Sequence, residues 1–197
     1  DSRAYIASVF QSGLTMPDRD YYLAMDARNV ELRRALDAYV ARLLALAGEN
    51  AAEAAARRVT ALEGRIANHH WTKAQNRDPV KTYNKVTPGF DWFAFLDGAG
   101  AGSVAALDVN QPTYVRELAK IVKGTSVADW RLYFKFRLLD AYAPYLAPEF
   151  EQANFEFSQR ALRGTPTQQP RWRRGTWTST PLCCNTATAA RPRLGSL

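Results

Sequence analysis

The spacing of apolar residues along this chain predicts two long helices that fold back on each other. In residues 29–47, apolar side chains recur on one face of a helix, and Gly48 follows as a left-handed cap. The buried face of this helix is predicted to comprise Leu32, Leu36, Tyr39, Val40, Leu43 and Leu44. A second helix is predicted over residues 51–72, with an inward side of Val59, Leu62 and Ile66 and an outward side of Arg57, Arg58, Glu63 and Arg65. Because only a short link joins the two helices, they form an antiparallel hairpin.

Residues 126–142 carry two apolar faces at helical spacing, within the sequence SVADWRLYFKFRLLDAY. Ser126, followed three residues later by Asp129, predicts the helix start, since the hydroxyl covers an open backbone N–H and the carboxylate favours the positive end. The first face is formed by Leu132, Phe136 and Leu139, and the second by Trp130, Phe134, Leu138 and Ala141. A surface helix has a single apolar stripe, so this helix is predicted to be an interior layer with other helices on both flanks. Arg137 is predicted to reach Asp140 or a carbonyl, and the alternative is a substrate contact.

Shorter helices and turns account for the rest of the pattern. Residues 13–23 are typical of a turn that leads into a helix, with Asp18 or Asp20 as its cap, whereas residues 1–12 suit either a helix end or a strand. Further helices are predicted from Asp78–Pro79, over 112–122 with closure at Gly124, and over 149–163 with an end at Gly164. Because no sustained alternation of polar and apolar residues occurs, the sequence predicts an all-α fold, a bundle-like lobe of several helices.

The positive charge of the chain is concentrated at its C-terminal end. Of the formal net charge of +7, residues 1–156 contribute nothing, since they hold 19 basic and 19 acidic side chains, and residues 157–197 hold 7 basic and no acidic ones. This placement argues against a nucleic-acid surface on the helical body. Residues 175–197 have no helical period and little apolar content, so they are predicted to form a disordered tail. An alternative function remains open, a helical interaction module that binds an acidic partner or nucleic acid through this basic tail.

The residue types that usually carry chemistry do not assemble into a predicted site. His69 and His70 are the only histidines, and neighbours in a helix point about 100° apart, so both cannot hold one metal ion. Asp18 and Asp20 are interpreted as turn and cap residues. The glycine-rich stretch 98–102 lacks the Gly-Lys-Ser/Thr of a phosphate loop. The sequence therefore predicts no catalytic, cofactor-binding or metal residue in this chain.

Two further features have plain interpretations. Cys183 and Cys184 are adjacent, so neither a disulfide framework nor a cysteine metal site is supported. The basic run of Arg171, Trp172, Arg173 and Arg174 could bind phosphate with a stacked aromatic ring, but a segment that meets the rest of a larger protein is the plainer interpretation. No run of about 18 apolar residues occurs, so no membrane span is predicted.

Four segments together resemble the landmarks of a known family. In order, they are GLTMPDRDYYL at 13–23, NRDPVKTYNKVT at 76–87, DWRLYFKFRLLD at 129–140 and RGTPTQQPRWRR at 163–174. Over residues 1–174 the chain resembles the neprilysin family, which includes the endothelin-converting enzymes and bacterial oligopeptidase O. Similarity stops just after Arg174, and we expect residues 175–197 to be a separate tail, as a shifted reading frame would produce.

This resemblance implies a role without implying a catalytic residue. Family members are zinc metalloendopeptidases, almost entirely helical, with two lobes around a large cavity. The matched stretch resembles their N-terminal region, much of which builds a non-catalytic lobe that limits substrate size. Their HExxH helix lies downstream of the last landmark, so zinc belongs to the intact family enzyme. The implied partners are the catalytic lobe of the same enzyme and peptide substrates. Relatives are periplasmic, secreted, membrane-anchored or cytoplasmic.

Overall fold

The computed structural model describes residues 7–77, 92–98, 100 and 107–169. Its elements are strand β1 (Ala7–Val9), helices α1 (Asp20–Leu23), α2 (Ala27–Leu46) and α3 (Ala52–His69), a 3₁₀ turn (Gln75–Arg77), α4 (Trp92–Gly98), β2 (Leu107–Val109), α5 (Pro112–Gly124), α6 (Val127–Tyr142), a second 3₁₀ turn (Ala143–Tyr145), α7 (Pro148–Asn154) and a π-helical segment (Phe155–Ala161). The predicted all-α class is confirmed. The helix predicted from Asp78–Pro79, the 171–174 run and the 175–197 tail lie outside the described residues.

The predicted antiparallel hairpin is the α2–α3 pair. The six apolar residues predicted for the inner face of α2 are all buried. Asp26 caps α2 by accepting the Asn29 backbone N–H at 3.0 Å. Gly48 follows the helix at φ +80°, a conformation that favours glycine, so it acts as the predicted left-handed cap.

An aromatic cluster joins α2 to α6 and to the π-helical segment. The Tyr39 ring meets Phe136 edge-on at 6.0 Å between centroids and stacks on Phe157 at 4.8 Å. The Tyr39 hydroxyl donates to Asp140 at 2.7 Å and accepts from Asn154 at 3.0 Å. Because a buried tyrosine needs partners for its hydroxyl, this one residue fixes the positions of three elements.

Strand β1, near the start of the chain, pairs in parallel with β2, near its middle. Ala7 pairs with Leu107 and Val9 with Val109, and the Asn110 backbone N–H also donates to the Val9 carbonyl. The sequence of residues 1–12 suited either a helix end or a strand, and the structure shows a strand at Ala7–Val9. Three residues are too few to produce an alternation that sequence analysis could detect.

The last predicted helix, 149–163, is divided into α7 and the π-helical segment. The Ser158 hydroxyl donates to the Asn154 carbonyl at 2.6 Å, the acceptor that the Ser158 backbone N–H would use in an α-helix. This competition accompanies the wider turn. Gly164 then ends the helical stretch at φ +72°.

Helix α6 departs from its prediction on one face. Its start is confirmed, since Ser126 accepts the Asp129 backbone N–H at 3.1 Å. Phe136 on the first face is fully buried, but Phe134 and Leu138 on the second are 60% and 61% exposed. The prediction of helices on both flanks is therefore wrong for Phe134 and Leu138, which no described element covers. An apolar pattern shows which positions prefer burial, but it does not show where the covering element comes from. None of the described helices is long and apolar enough to cross a membrane.

The two faces of α6 give a matched test. Phe136→Ala should destabilise the chain by about 3–5 kcal/mol, because it leaves a cavity beneath Tyr39. Phe134→Ala, on the same helix, should change the free energy of unfolding by only about 0.5 kcal/mol. Urea denaturation followed by circular dichroism measures both. Equal losses for the two variants would contradict the assignment of faces.

Candidate functional site

A buried carboxylate lies at the centre of the polar interior. The Glu63 side chain, on α3, is fully buried. The sequence predicted an outward position for Glu63, and that prediction is wrong. Its carboxylate accepts the Tyr22 hydroxyl at 2.5 Å, the Thr15 hydroxyl at 2.7 Å and the Thr15 backbone N–H at 3.2 Å. These donors replace the water that a buried carboxylate loses.

Arg137 completes this cluster from α6. Its Nη1 donates to the Thr15 hydroxyl at 3.1 Å and lies 4.0 Å from Glu63 Oε1. The predicted bond from Arg137 to Asp140 or a carbonyl is therefore replaced by a contact with the Thr15 side chain. The substrate contact that was the alternative stays a prediction. We call Glu63, Thr15, Tyr22 and Arg137 the Glu63 cluster.

The electrostatics of the Glu63 cluster follow from burial. Burial raises the pKa of Glu63 above its usual value, although the donors from Tyr22 and Thr15 and the charge of Arg137 oppose the rise. Burial, with the Glu63 charge beside it, also raises the pKa of the Tyr22 phenol, so this hydroxyl keeps its proton and remains a donor. The cluster is therefore a set of fixed donors around one acceptor.

Other side chains fasten the loop that contains Thr15. We call residues 11–19 the anchored loop. Its Ser12 carbonyl accepts hydrogen bonds from the Tyr114 hydroxyl at 2.9 Å and from His70 Nε2 at 3.1 Å. Its Gly13 carbonyl accepts the Tyr133 hydroxyl at 2.9 Å. Gly13 has φ +95°, and a Cβ there would lie 3.1 Å from that hydroxyl, so both conformation and space favour glycine.

The anchored loop is thus held by three helices. Tyr114 lies on α5, Tyr133 on α6, and His70 directly follows α3. Burial raises the pKa of Tyr114 to about 12, so its hydroxyl also stays protonated and donates. The arrangement holds one irregular segment against a helical layer through hydrogen bonds to its carbonyls.

Of the residues that the sequence analysis weighed as candidates, His70 and Asp18 make contacts within the fold. His70 is buried against the Tyr114 ring, with its pKa lowered by burial, whereas His69 is exposed at the end of α3. Asp18 accepts the Asp20 backbone N–H at 2.8 Å, as expected of a turn residue, and pairs with Lys73 at 2.7 Å. Cys183, Cys184 and most of the 98–102 stretch lie outside the described residues.

The described residues show no group of three or more His, Cys, Asp or Glu side chains that could hold a metal ion. Glu63 is closed off from solvent and engaged by its donors, and His70 is engaged by the Ser12 carbonyl. These contacts hold the anchored loop against α3, α5 and α6. Sequence reasoning missed Glu63, although its spacing of four from Val59 and three from Ile66 places it on the inward stripe.

The raised pKa of Glu63 gives a test with a definite sign. The folded chain holds this proton more tightly than the unfolded chain, where a glutamate has a pKa of about 4.3. Between those two pKa values the folded state binds more protons, so stability falls as pH rises. Relative to a Glu63→Gln variant, the natural chain should therefore lose stability as pH rises from 4.

Urea unfolding of both proteins between pH 4 and 8 checks this expectation. Glu53→Gln is the matched control, because Glu53 is an exposed acid at the start of the same helix. A stability difference between the natural chain and Glu63→Gln that is flat, or that grows in favour of the natural chain with rising pH, would contradict it.

Comparisons with known proteins agree with this architecture. Residues 1–191 match the N-terminal model of peptidase family M13. Endothelin-converting enzyme-like 1 of Rattus norvegicus is 27% identical over 172 residues, which cover 81% of this chain and 22% of that protein. Endothelin-converting enzyme 1 of Cavia porcellus is 25% identical over 191 residues, covering 88% and 25%.

Solved structures give the same result. The crystal structure of Mycobacterium tuberculosis zinc metalloprotease ZMP1 in complex with inhibitor matches 90% of this chain with a TM-score of 0.81 and 30% identity. The cryo-EM structure of ZMP1 in an open state matches 90% with a TM-score of 0.76 and 29% identity. This chain spans about a quarter of the length of the curated relatives and 29% of the inhibitor-bound ZMP1 chain. The chain belongs to peptidase family M13, and it corresponds to part of the N-terminal region of that neprilysin-like family.

Proposed function

We propose that this chain is a non-catalytic helical wall of a neprilysin-like zinc metalloendopeptidase. The observation that supports this most strongly is the match to ZMP1, in which a segment with this fold makes up 29% of a zinc metalloprotease. In the proposal, the zinc ligands and the catalytic glutamate belong to another part of the same protein. The described residues do not fit a zinc ion, because they bring together no group of three or more His, Cys, Asp or Glu side chains that could hold one, and the buried Glu63 and His70 are already hydrogen-bonded.

The function of such a wall is to select substrates by size. A rigid surface around a cavity rejects bulky proteins sterically and admits short flexible peptides, without attractive contacts to either. Rigidity is the property that this chain supplies. Glu63, Tyr133 and Tyr114, on three different helices, each bond the anchored loop, so a displacement of one helix would break buried hydrogen bonds.

Zinc content and peptide cleavage test the proposal. The purified 197-residue chain should bind no stoichiometric zinc and should cleave no fluorogenic peptide, because the catalytic groups are proposed to lie elsewhere. Metal analysis after desalting and a peptidase assay with and without a zinc chelator measure both. The control is a chimera in which this chain replaces the equivalent segment of ZMP1, and this chimera should show chelator-sensitive cleavage. Chelator-sensitive cleavage by the chain alone would overturn the proposal.

A further inference from the structure

The two methionines of this chain lie in opposite environments. Met16, in the anchored loop, is 2% exposed, whereas Met25, between α1 and α2, is 81% exposed. Oxidation of a thioether to a sulfoxide depends on the access of the oxidant to the sulfur atom. An oxidant in solution therefore reaches Met25 in the folded chain and not Met16. Exposure alone is ordinary for a surface methionine, so the surroundings of the Met25 sulfur decide what the reaction does.

The guanidinium of Arg33, on α2, is directed at the Met25 sulfur atom. Its Nη1 donates to the Tyr21 carbonyl at 2.9 Å and to the Ala24 carbonyl at 2.7 Å. Its Nη2 lies 3.8 Å from Met25 Sδ. Because the guanidinium is planar, the two carbonyls that bind Nη1 also restrict the direction of Nη2. The main chain between α1 and α2 thus holds a charged donor in front of the sulfur.

The thioether is a poor partner for this donor. Thioether sulfur is a weak acceptor, and the contact of 3.8 Å is long. The neighbouring Asp26 carboxylate binds Asn29 instead, accepting its backbone N–H at 3.0 Å and its side-chain amide at 2.6 Å. Arg33 Nη2 therefore faces a weak acceptor at a place where an oxygen atom would be a stronger one.

We propose that Met25 is a site of oxidation by peroxide, at which Arg33 binds the resulting sulfoxide. A lone pair on Sδ attacks one oxygen of hydrogen peroxide, and the O–O bond breaks. The departing hydroxide takes the proton of the transferred hydroxyl and leaves as water. The thioether is oxidised by two electrons, and the peroxide is reduced by two.

The product fits the surroundings of Met25 better than the thioether does. Oxidation converts an exposed apolar side chain into a polar one. An oxygen added to Sδ on the side of Arg33 comes within hydrogen-bonding distance of Nη2, and a charged donor makes the stronger kind of hydrogen bond. The main chain between α1 and α2 then gains a contact to α2. Since α1 carries Tyr22, which donates to Glu63, the oxidation reinforces the attachment of an element of the Glu63 cluster.

Peptide mass spectrometry tests the site of oxidation. The chain carries Cys183→Ser and Cys184→Ser, so that no thiol competes for the oxidant. In hydrogen peroxide, the peptide that contains Met25 should gain one oxygen about tenfold faster, or more, than the peptide that contains Met16. Equal rates, or faster oxidation of Met16, would overturn the proposal.

Thermal unfolding followed by circular dichroism tests the role of Arg33 in the same chain. Oxidation should raise the unfolding midpoint by about 2 °C, whereas in an Arg33→Leu variant the same oxidation should not raise it. Arg34→Leu is the matched control and should keep the rise, because Arg34 is the exposed neighbour of Arg33 on the same helix. A midpoint that falls on oxidation, or that rises equally in the Arg33→Leu variant, shows that Arg33 does not bind the sulfoxide.

A second pair of variants needs no oxidant and leaves Arg33 in place. Met25→Gln puts a side-chain carbonyl oxygen near the position proposed for the sulfoxide oxygen, and Met25→Leu puts none there. The Met25→Gln chain should unfold about 2 °C above the Met25→Leu chain. Equal midpoints for these two variants would count against binding by Arg33 even if the Arg33→Leu chain fails to fold.

Discussion

Burial of one carboxylate sets the geometry of this helical layer. A buried charge is tolerated only when donors surround it, and Glu63 takes its donors from Thr15 and Tyr22. Those residues lie on either side of Met16, which is itself almost fully buried. The polar contacts and the apolar contact must therefore form together. Side chains from other elements in this way bond an irregular stretch of chain that has few backbone hydrogen bonds of its own.

Helix α6 connects the interior of the layer to its surface. Phe136 packs in the core, Tyr133 and Arg137 bind the anchored loop, and Phe134 points to solvent. Apolar residues thus lie on nearly all sides of the helix, and only the inner ones pack in the described core.

Sequence analysis predicted the helix faces and caps that depend on neighbouring residues. It missed the contacts that depend on residues far away in the sequence. The inner face of α2, its Gly48 cap and the Ser126 start of α6 follow from neighbours within one or two turns, and the structure confirms them. Glu63 was placed outward because charged residues usually are, and its donors lie more than forty residues away. The Glu63 cluster was not predictable, since nothing near Glu63 in sequence shows that Thr15 and Tyr22 would meet it.

The long sequence separation of these bonds has a consequence during synthesis. Thr15 and Arg137 are 122 residues apart, and Tyr133 is 120 residues from Gly13. At about 5–20 residues per second, a ribosome needs roughly 6–24 seconds to make the intervening chain. Throughout that time the hydrophobic core in which Met16 is buried is incomplete, because Tyr133 and Phe136 have not been made. During synthesis the segment around Met16 therefore stays exposed to chaperones until α6 has been made.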